Sequence, residues 1–293
     1  MASSIEDLPP LRDVIARFDL AARKNLGQHF LLDLNLTRRI ARAAGDLSTC
    51  TVFEIGPGPG GLTRALLLEG AQRVVAVERD PRCVEALQGL VKASEGRLEV
   101  IQGDARNFDL SALGPAPRRV VANLPYNVAT PLLIDWLTHA HLYESLTLMF
   151  QREVGNRIVA KPGSRTYGRL SVLSNWRCQT ACLLNLPARA FTPPPKVESS
   201  VVTLTPRTPP SDINVKCLEA VTGAAFGQRR KMLRSALKSL GVDTDALLTR
   251  AGIDPTRRAE TIDIKGFIAL TQIYTELMST EPMGSATAPD VTP

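Results

Sequence analysis

No stretch of this chain approaches the ~20 consecutive apolar residues that a membrane-spanning helix needs. The N-terminus lacks the apolar core of a signal peptide. Its Glu6, Asp7, Asp13 and Asp19 also argue against a transit peptide, which is poor in acids. A cytoplasmic protein is expected. Cysteine is sparse: Cys50, Cys83, Cys178, Cys182 and Cys217 form an odd, scattered set. Only Cys178 and Cys182 are close, with no second pair and no nearby histidine, so no metal site is expected and reduced thiols are the simpler reading. No segment repeats.

What is present is apolar content and unevenly placed charge. The 293 residues are 44% hydrophobic, enough for one large or two modest domains with a real core. Net charge is +6, which permits a polyanionic partner. Residues 151–170 hold five Arg or Lys against one Glu, and residues 207–240 hold seven against two acids. Together these two segments exceed the whole-chain excess.

After a polar lead-in with a short helix near Leu11–Phe18, Gly27 marks a break and Asp33 precedes a helix over Leu36–Ala44. The strand expected at Thr51–Ile55 runs into Gly56-Pro57-Gly58-Pro59-Gly60-Gly61 and a helix, Leu62–Glu69. Strand, glycine turn and helix N-terminus form the entry to a nucleotide-binding βαβ unit. The second strand, Arg73–Val77, leads to Glu78, an acid able to accept ribose hydroxyls or to cap the helix at Pro81. The third, Leu98–Gln102, leads to Gly103-Asp104-Ala105, where Asp104 can accept from an adenine amine or act as a turn aspartate. Dinucleotide binding needs free N–H groups aimed at a pyrophosphate, and Pro57 and Pro59 remove two. A phosphate-free nucleoside donor needs only close backbone approach, which glycine allows. S-adenosylmethionine is therefore favoured over NAD(P).

Arg119–Ala122 reads as a buried strand ending in Asn123-Leu124-Pro125-Tyr126. Proline biases Leu124 to extended backbone, so the Asn123 amide and Leu124 carbonyl can face one way beside the phenol ring. That arrangement can hold an exocyclic amine; an ordinary turn uses the same residue types. The tetrapeptide resembles the motif of N6-adenine and related amino-methyltransferases.

A helix is expected over Pro131–His139, a strand over Ser145–Phe150 and a helix over Arg152–Ala160. The loop Lys161–Arg169, with Arg165, Tyr167 and Arg169, could contact an RNA backbone or be merely solvated. Strands are expected at Leu170–Trp176, Thr180–Leu186 and Ser200–Thr205. Between the last two, Pro193, Pro194 and Pro195 hold Phe191 in an extended segment, where it could project into a cleft or fill a core. Helices follow at Val215–Phe226, Lys231–Leu240, Asp243–Arg250 and Ile264–Leu277. Arg229, Arg230 and Lys231 lie between the first two. The spacing of Arg230, Arg234 and Lys238 predicts one basic helix face, either a solubilising stripe or a phosphate grip. The tail from Ser279 is expected to be disordered.

Five motifs occur in order: Asn25-Leu26-Gly27-Gln28-His29-Phe30-Leu31, Glu54-Ile55-Gly56-Pro57-Gly58, Val77-Glu78-Arg79-Asp80, Asn123-Leu124-Pro125-Tyr126, and Phe191-Thr192-Pro193-Pro194-Pro195-Lys196-Val197-Glu198-Ser199. From about Lys24 to Leu277 the chain resembles the ribosomal RNA adenine dimethyltransferase family, its bacterial small-subunit (16S) members above all. The resemblance implies an α/β fold: a Rossmann-like seven-stranded S-adenosylmethionine-dependent methyltransferase sheet with a small C-terminal all-helical domain. The domains would be a lead-in (1–22), the methyltransferase domain (23–207), a helical RNA-binding domain (208–278) and a tail (279–293). It further implies that His29, Leu31, Gly56, Gly58, Glu78, Asp104 and Asn123 line the donor site, although the family often has Asn where His29 stands. N6 of two adjacent adenosines in 16S RNA of the small (30S) subunit would be the target, and the protein a monomer. Asn123 and Leu124 would hold N6, and Tyr126 and Phe191 would stack on the base, with Pro125 shaping the loop. Arg165, Arg169, Arg229, Arg230, Lys231 and Arg234 would hold RNA. The large-subunit (23S) adenine methyltransferases and a non-catalytic ribosome-assembly factor are the rival readings.

Overall fold

A computed structural model describes residues 4–20, 28–208 and 213–280. The motif residues Lys24 to Leu26, the break expected at Gly27 and the tail residues 281–293 lie outside the described residues. The chain divides into two compact units, residues 1–159 with 177–208, and residues 160–176 with 209–293. The segment 160–176 thus belongs with the helical unit, where a boundary at 207/208 was expected.

The first unit opens with α1 (Leu11–Arg17), then β1 (Phe30–Leu31) and α2 (Leu34–Ala43), whose Asp33 cap accepts from the Asn35 and Leu36 amides. Next come β2 (Thr51–Ile55), α3 (Gly61–Leu68), β3 (Arg73–Glu78), α4 (Pro81–Ala93), β4 (Leu98–Gln102) and β5 (Arg118–Ala122). α5 (Tyr126–Thr138), β6 (Ser145–Gln151), α6 (Arg152–Ile158), α7 (Arg169–Arg177), β7 (Cys178–Leu186), β8 (Phe191–Thr192) and β9 (Ser199–Pro206) follow, α7 crossing the unit boundary. The seven-stranded sheet has the order β4-β3-β2-β5-β6-β9-β7, and β1 pairs separately with β8. β2 to β6 are parallel, and β9 runs antiparallel to both β6 and β7. All of β2 and most of β3 are buried, as a parallel sheet covered on both faces requires. Strand order reverses between β2 and β5, so ligands are expected beyond the carboxyl ends of those two strands.

The lead-in is more than a polar tether. Leu20 and Val14 pack on Cys83 and Ala86 of α4, and the Arg64 guanidinium donates twice to the Pro9 carbonyl.

Three expected elements differ. α5 starts at Tyr126, leaving Pro131 inside it. The buried stripe Ala129, Leu132, Leu133, Trp136 and Leu137 follows helical spacing, and its burial outweighs the one bond that proline removes. Residues 170–176 are helical, not a strand: Ser171, Val172, Leu173, Ser174 and Trp176 are all buried, and a short run buried all round has no diagnostic period. The expected helix over 231–240 is only α9 (Leu233–Ala236) followed by a 3-10 turn (Leu237–Leu240). The Leu233 and Arg234 amides donate instead to the carbonyls of Arg257 and Pro255. Arg230 lies in the turn before α9, outside any helix, so Arg230, Arg234 and Lys238 do not share one helical face.

The second unit also holds α8 (Val215–Gly227), α10 (Thr244–Arg250) and α11 (Ile264–Thr280), which carries two residues of the expected tail. Leu218, Val221, Thr222 and Ala225 form the buried stripe of α8. Tyr167 meets Phe226 edge-on, ring centroids 5.8 Å apart, and Phe226 stacks on Phe267 at 5.4 Å. Tyr167 is fully buried, so the aromatic expected to serve RNA in the basic loop serves the core. Among the described residues no helix is long and apolar enough to cross a membrane.

Candidate functional site

A cavity opens beyond the carboxyl ends of β2 and β5, lined by loops after β2, β3, β4 and β5 and by residues 28–31. His29, Leu31, Gly56, Gly58, Glu78, Asp104, Asn123, Leu124, Pro125 and Tyr126 all line it. Glycine is required in its floor. Gly58 has φ +56°, and a Cβ there would lie 3.0 Å from the Phe30 ring. A Cβ on Gly61 would meet the Leu31 carbonyl oxygen at 2.4 Å, so residue 61 admits no side chain while β1 stays in place.

Glu78 closes one wall at the end of β3 and is buried. Its Oε2 accepts from the Gly58 amide at 3.0 Å and its Oε1 from the Asp80 amide at 2.8 Å. The glycine loop thereby aims the carboxylate, and each oxygen keeps a further acceptor position for a hydroxyl. Burial raises its pKa, opposed by these amide bonds. The cap of α4 is Asp80, not Glu78. At the end of β4, Asp104 both caps a short turn and lines the cavity. The bidentate Arg106 guanidinium holds its carboxyl at about 2.

The opposite end is built by four segments. The Asn123 amide nitrogen donates to the His29 carbonyl at 3.0 Å, leaving Oδ1 as the acceptor end of a fixed carboxamide. The His29 Nδ1–H donates to the Pro193 carbonyl at 2.8 Å. The His29 ring meets Tyr126 at 5.7 Å with a 31° tilt. The Tyr126 hydroxyl bonds Ser199 Oγ at 2.6 Å, and Ser199 is fully buried. An ion pair between Arg152 and Glu198 ties the same loop to α6.

Phe191 does not join this group. It pairs with Leu31 across β8 and β1, is 2% exposed, and packs in the core with Leu186 and Val201. The pairing of β8 with β1 turns it inward, so in this structure its ring has no free face for a base.

Sequence reasoning assigned no role to Glu54, which immediately precedes the last residue of β2 and the glycine turn. It lines the cavity, is 1% exposed, and its Oε2 has no hydrogen-bond partner among the described residues. An acid ending a buried strand was the available signal. The six RNA candidates all lie in the second unit. Arg169 pairs with Glu219 at 2.8 Å and Arg229 with Glu260 at 3.0 Å. Arg165, Arg230, Lys231 and Arg234 are exposed and form no ion pair among the described residues.

The cavity fits an adenosyl sulfonium donor: acids at the ends of two adjacent strands, a floor with no room for side chains, and a buried carboxyl with one unpartnered oxygen. The family model for ribosomal RNA adenine dimethylase matches residues 20–276. The ribosomal RNA small subunit methyltransferase A of Rhodospirillum rubrum is 59% identical over 268 residues, covering 91% of this chain and 93% of that one. The protein of the same name from Rhodopseudomonas palustris is 58% identical, covering 95% and 99%. The crystal structure of a dimethyladenosine transferase from Plasmodium falciparum superposes with TM-score 0.72 at 25% identity, covering 85% of this chain and 98% of that one. That of the 23S rRNA methyltransferase ErmE superposes with TM-score 0.64 at 24% identity, covering 84% and 99%. The chain belongs to the ribosomal RNA adenine dimethylase family, and is therefore an S-adenosylmethionine-dependent enzyme that methylates N6 of adenine in ribosomal RNA.

Proposed function

We propose that this protein dimethylates two adjacent adenosines in a hairpin loop near the 3′ end of 16S RNA, acting as a cytoplasmic monomer on the small (30S) subunit. The carrying observation is the Asn123 carboxamide, pinned by the His29 carbonyl beside Tyr126 at the end of β5. A looped-out base is cheaper to extrude than a paired one, which favours a hairpin loop as target.

When bound, S-adenosylmethionine supplies an electrophilic methyl group. Gly56 and Gly58 admit it by close backbone approach, and Glu78 and Asp104 hold its ribose and adenine. The acceptor N6 is a poor nucleophile because its lone pair is delocalised into the ring. Asn123 Oδ1 and the Leu124 carbonyl accept its two N–H bonds and draw the nitrogen toward tetrahedral geometry. The nitrogen becomes cationic as carbon arrives, so both acceptors bind the transition state better than the ground state. The methyl's former bonding pair stays with the donor sulfur, and the proton, acidic once the methyl is attached, passes to solvent water. After one transfer a single N–H remains, and one acceptor still serves a second round. Tyr126 offers the base a stacking face worth roughly 1–3 kcal/mol.

A large-subunit target has weaker support, since the 24% likeness to the 23S enzyme speaks for the fold alone. A non-catalytic assembly factor would have no need of an oriented carboxamide. The test is incubation of the protein with labelled donor and a mixture of unmethylated small and large subunits, followed by mapping of the modified nucleotides. Label in large-subunit RNA, or none at all, would overturn the reading.

A further inference from the structure

Asp104 is already crowded. Its Oδ1 accepts from the Arg106 amide at 3.1 Å and from Arg106 Nε at 3.0 Å. Its Oδ2 accepts from Arg106 Nη2 at 2.6 Å. A second guanidinium, Arg79, brings Nη1 to 3.7 Å from the same Oδ2, too far for a hydrogen bond. Arg79, Asp104 and Arg106 all line the cavity. A carboxylate has about four acceptor positions. Arg106 fills three, and the remaining one is on the oxygen that Arg79 approaches.

The two arginines are held differently. Arg106 grips both oxygens with its planar fork and its own main-chain N–H, and bidentate charge-assisted pairs are strong. Arg79 makes one over-long approach from a side chain that is 66% exposed. Exposed single pairs of this kind contribute little.

We propose that the 6-amino group of the donor's adenine takes the fourth acceptor position on Asp104 by displacing Arg79, while Arg106 stays and keeps the carboxylate aimed. Arg106 is then a positioning residue and Arg79 a competitor for the adenine seat. Together they set the preference of the cavity for a 6-amino purine. This inference rests on reading the cavity as the donor site.

The two roles predict shifts of opposite sign. Binding of S-adenosylhomocysteine would be measured by calorimetry beside its analogue bearing hydrogen in place of the 6-amino group. Arg79→Met should tighten S-adenosylhomocysteine about threefold, since no exposed pair need be broken, and leave the analogue unchanged. Arg106→Met should weaken S-adenosylhomocysteine roughly tenfold, the scale of one misdirected charge-assisted bond, and again leave the analogue unchanged. Preference for the amine therefore widens in one variant and narrows in the other. Arg106→Lys, which keeps charge without the fork, should fall between Arg106→Met and the parent. A purely structural contribution would move both ligands together. Preference moving in the same direction in both variants, or in neither, would overturn the inference. If the parent protein binds neither ligand, the donor-site reading itself fails.

Discussion

The Asn123 side chain donates across 3.0 Å to the main-chain oxygen of His29, so a residue 94 positions upstream fixes which end of the carboxamide faces the cavity. The acceptor geometry thus depends on β1 and its register with β8. Asn123→Ala should keep the fold and lower methyl transfer about 10²-fold or more, the scale seen when one oriented group serving a transition state is removed. Asn123→Asp should fare no better, because a carboxylate cannot donate to a carbonyl and turns away. Single-turnover transfer of labelled methyl, with circular dichroism for the fold, decides this. Near-normal turnover of either variant would refute the role of the carboxamide.

Tyr126 and Ser199 share one hydrogen bond at 2.6 Å that orients the phenol ring. Tyr126→Phe and Ser199→Ala each delete it, at a cost of about 0.5–1.5 kcal/mol. Their effects on kcat/KM for RNA should therefore overlap, not add, in the double variant. Tyr126→Ala removes the stacking face as well and should lose more. Phe191→Ala should differ in kind, lowering thermal stability by about 3–5 kcal/mol as a core truncation. An unchanged melting point for that variant would return Phe191 to the cleft.

The sheet was legible because short apolar runs ending in Gly56, Glu78, Asp104 and Asn123 alternate with amphipathic helices. That alternation has one common solution. Residues 170–176 were not legible: burial on all sides erases periodicity, and no local signal separates a helix from a strand there. Nor was the break after Met232, where the Leu233 and Arg234 amides turn to Arg257 and Pro255, far along the chain. The candidate site divides the same way. Residues at strand ends announce themselves by position. The His29–Pro193 and Arg106–Asp104 hydrogen bonds depend on loop conformations, of which sequence spacing says little. Phe191 shows the converse: a proline-rich loop suggested projection, and pairing with β1 turned the ring inward.

The basic residues of the second unit are not equivalent. Reversing Arg230 and Arg234 to Glu touches exposed side chains without ion pairs among the described residues. RNA binding should weaken, and the slope of log affinity against log salt should flatten by about one unit for each phosphate no longer neutralised. Stability should barely change. Arg229→Glu instead breaks the pair with Glu260 and sets two acids against each other in place of the bridge. It should lower the melting temperature as well. Filter binding to small-subunit RNA across a salt series, with melting curves, separates the two. Unaltered binding by the double reversal would mean this surface is not the RNA grip.

Glu54 offers a pH test that needs no substrate. Burial pushes its carboxyl up to about 8, Thr63 beside it counteracts, and the nearby negative charge of Glu78 adds to the rise. In the unfolded chain the group titrates at its ordinary 4.5. Between these values the folded protein keeps a proton that the unfolded chain has lost, so this group's contribution to stability falls as pH rises. Below 4.5 both states are protonated and the contribution is flat; above about 8 both are ionised and it is flat again. Glu54→Gln mimics the protonated form and cannot ionise. Its melting temperature relative to the parent should therefore climb through that window and level off above it. Donor-free thermal melts at about pH 5, 7 and 8.5 measure the difference directly. A gap that stays constant, or shrinks with rising pH, would show that Glu54 is ionised in the folded protein at neutral pH.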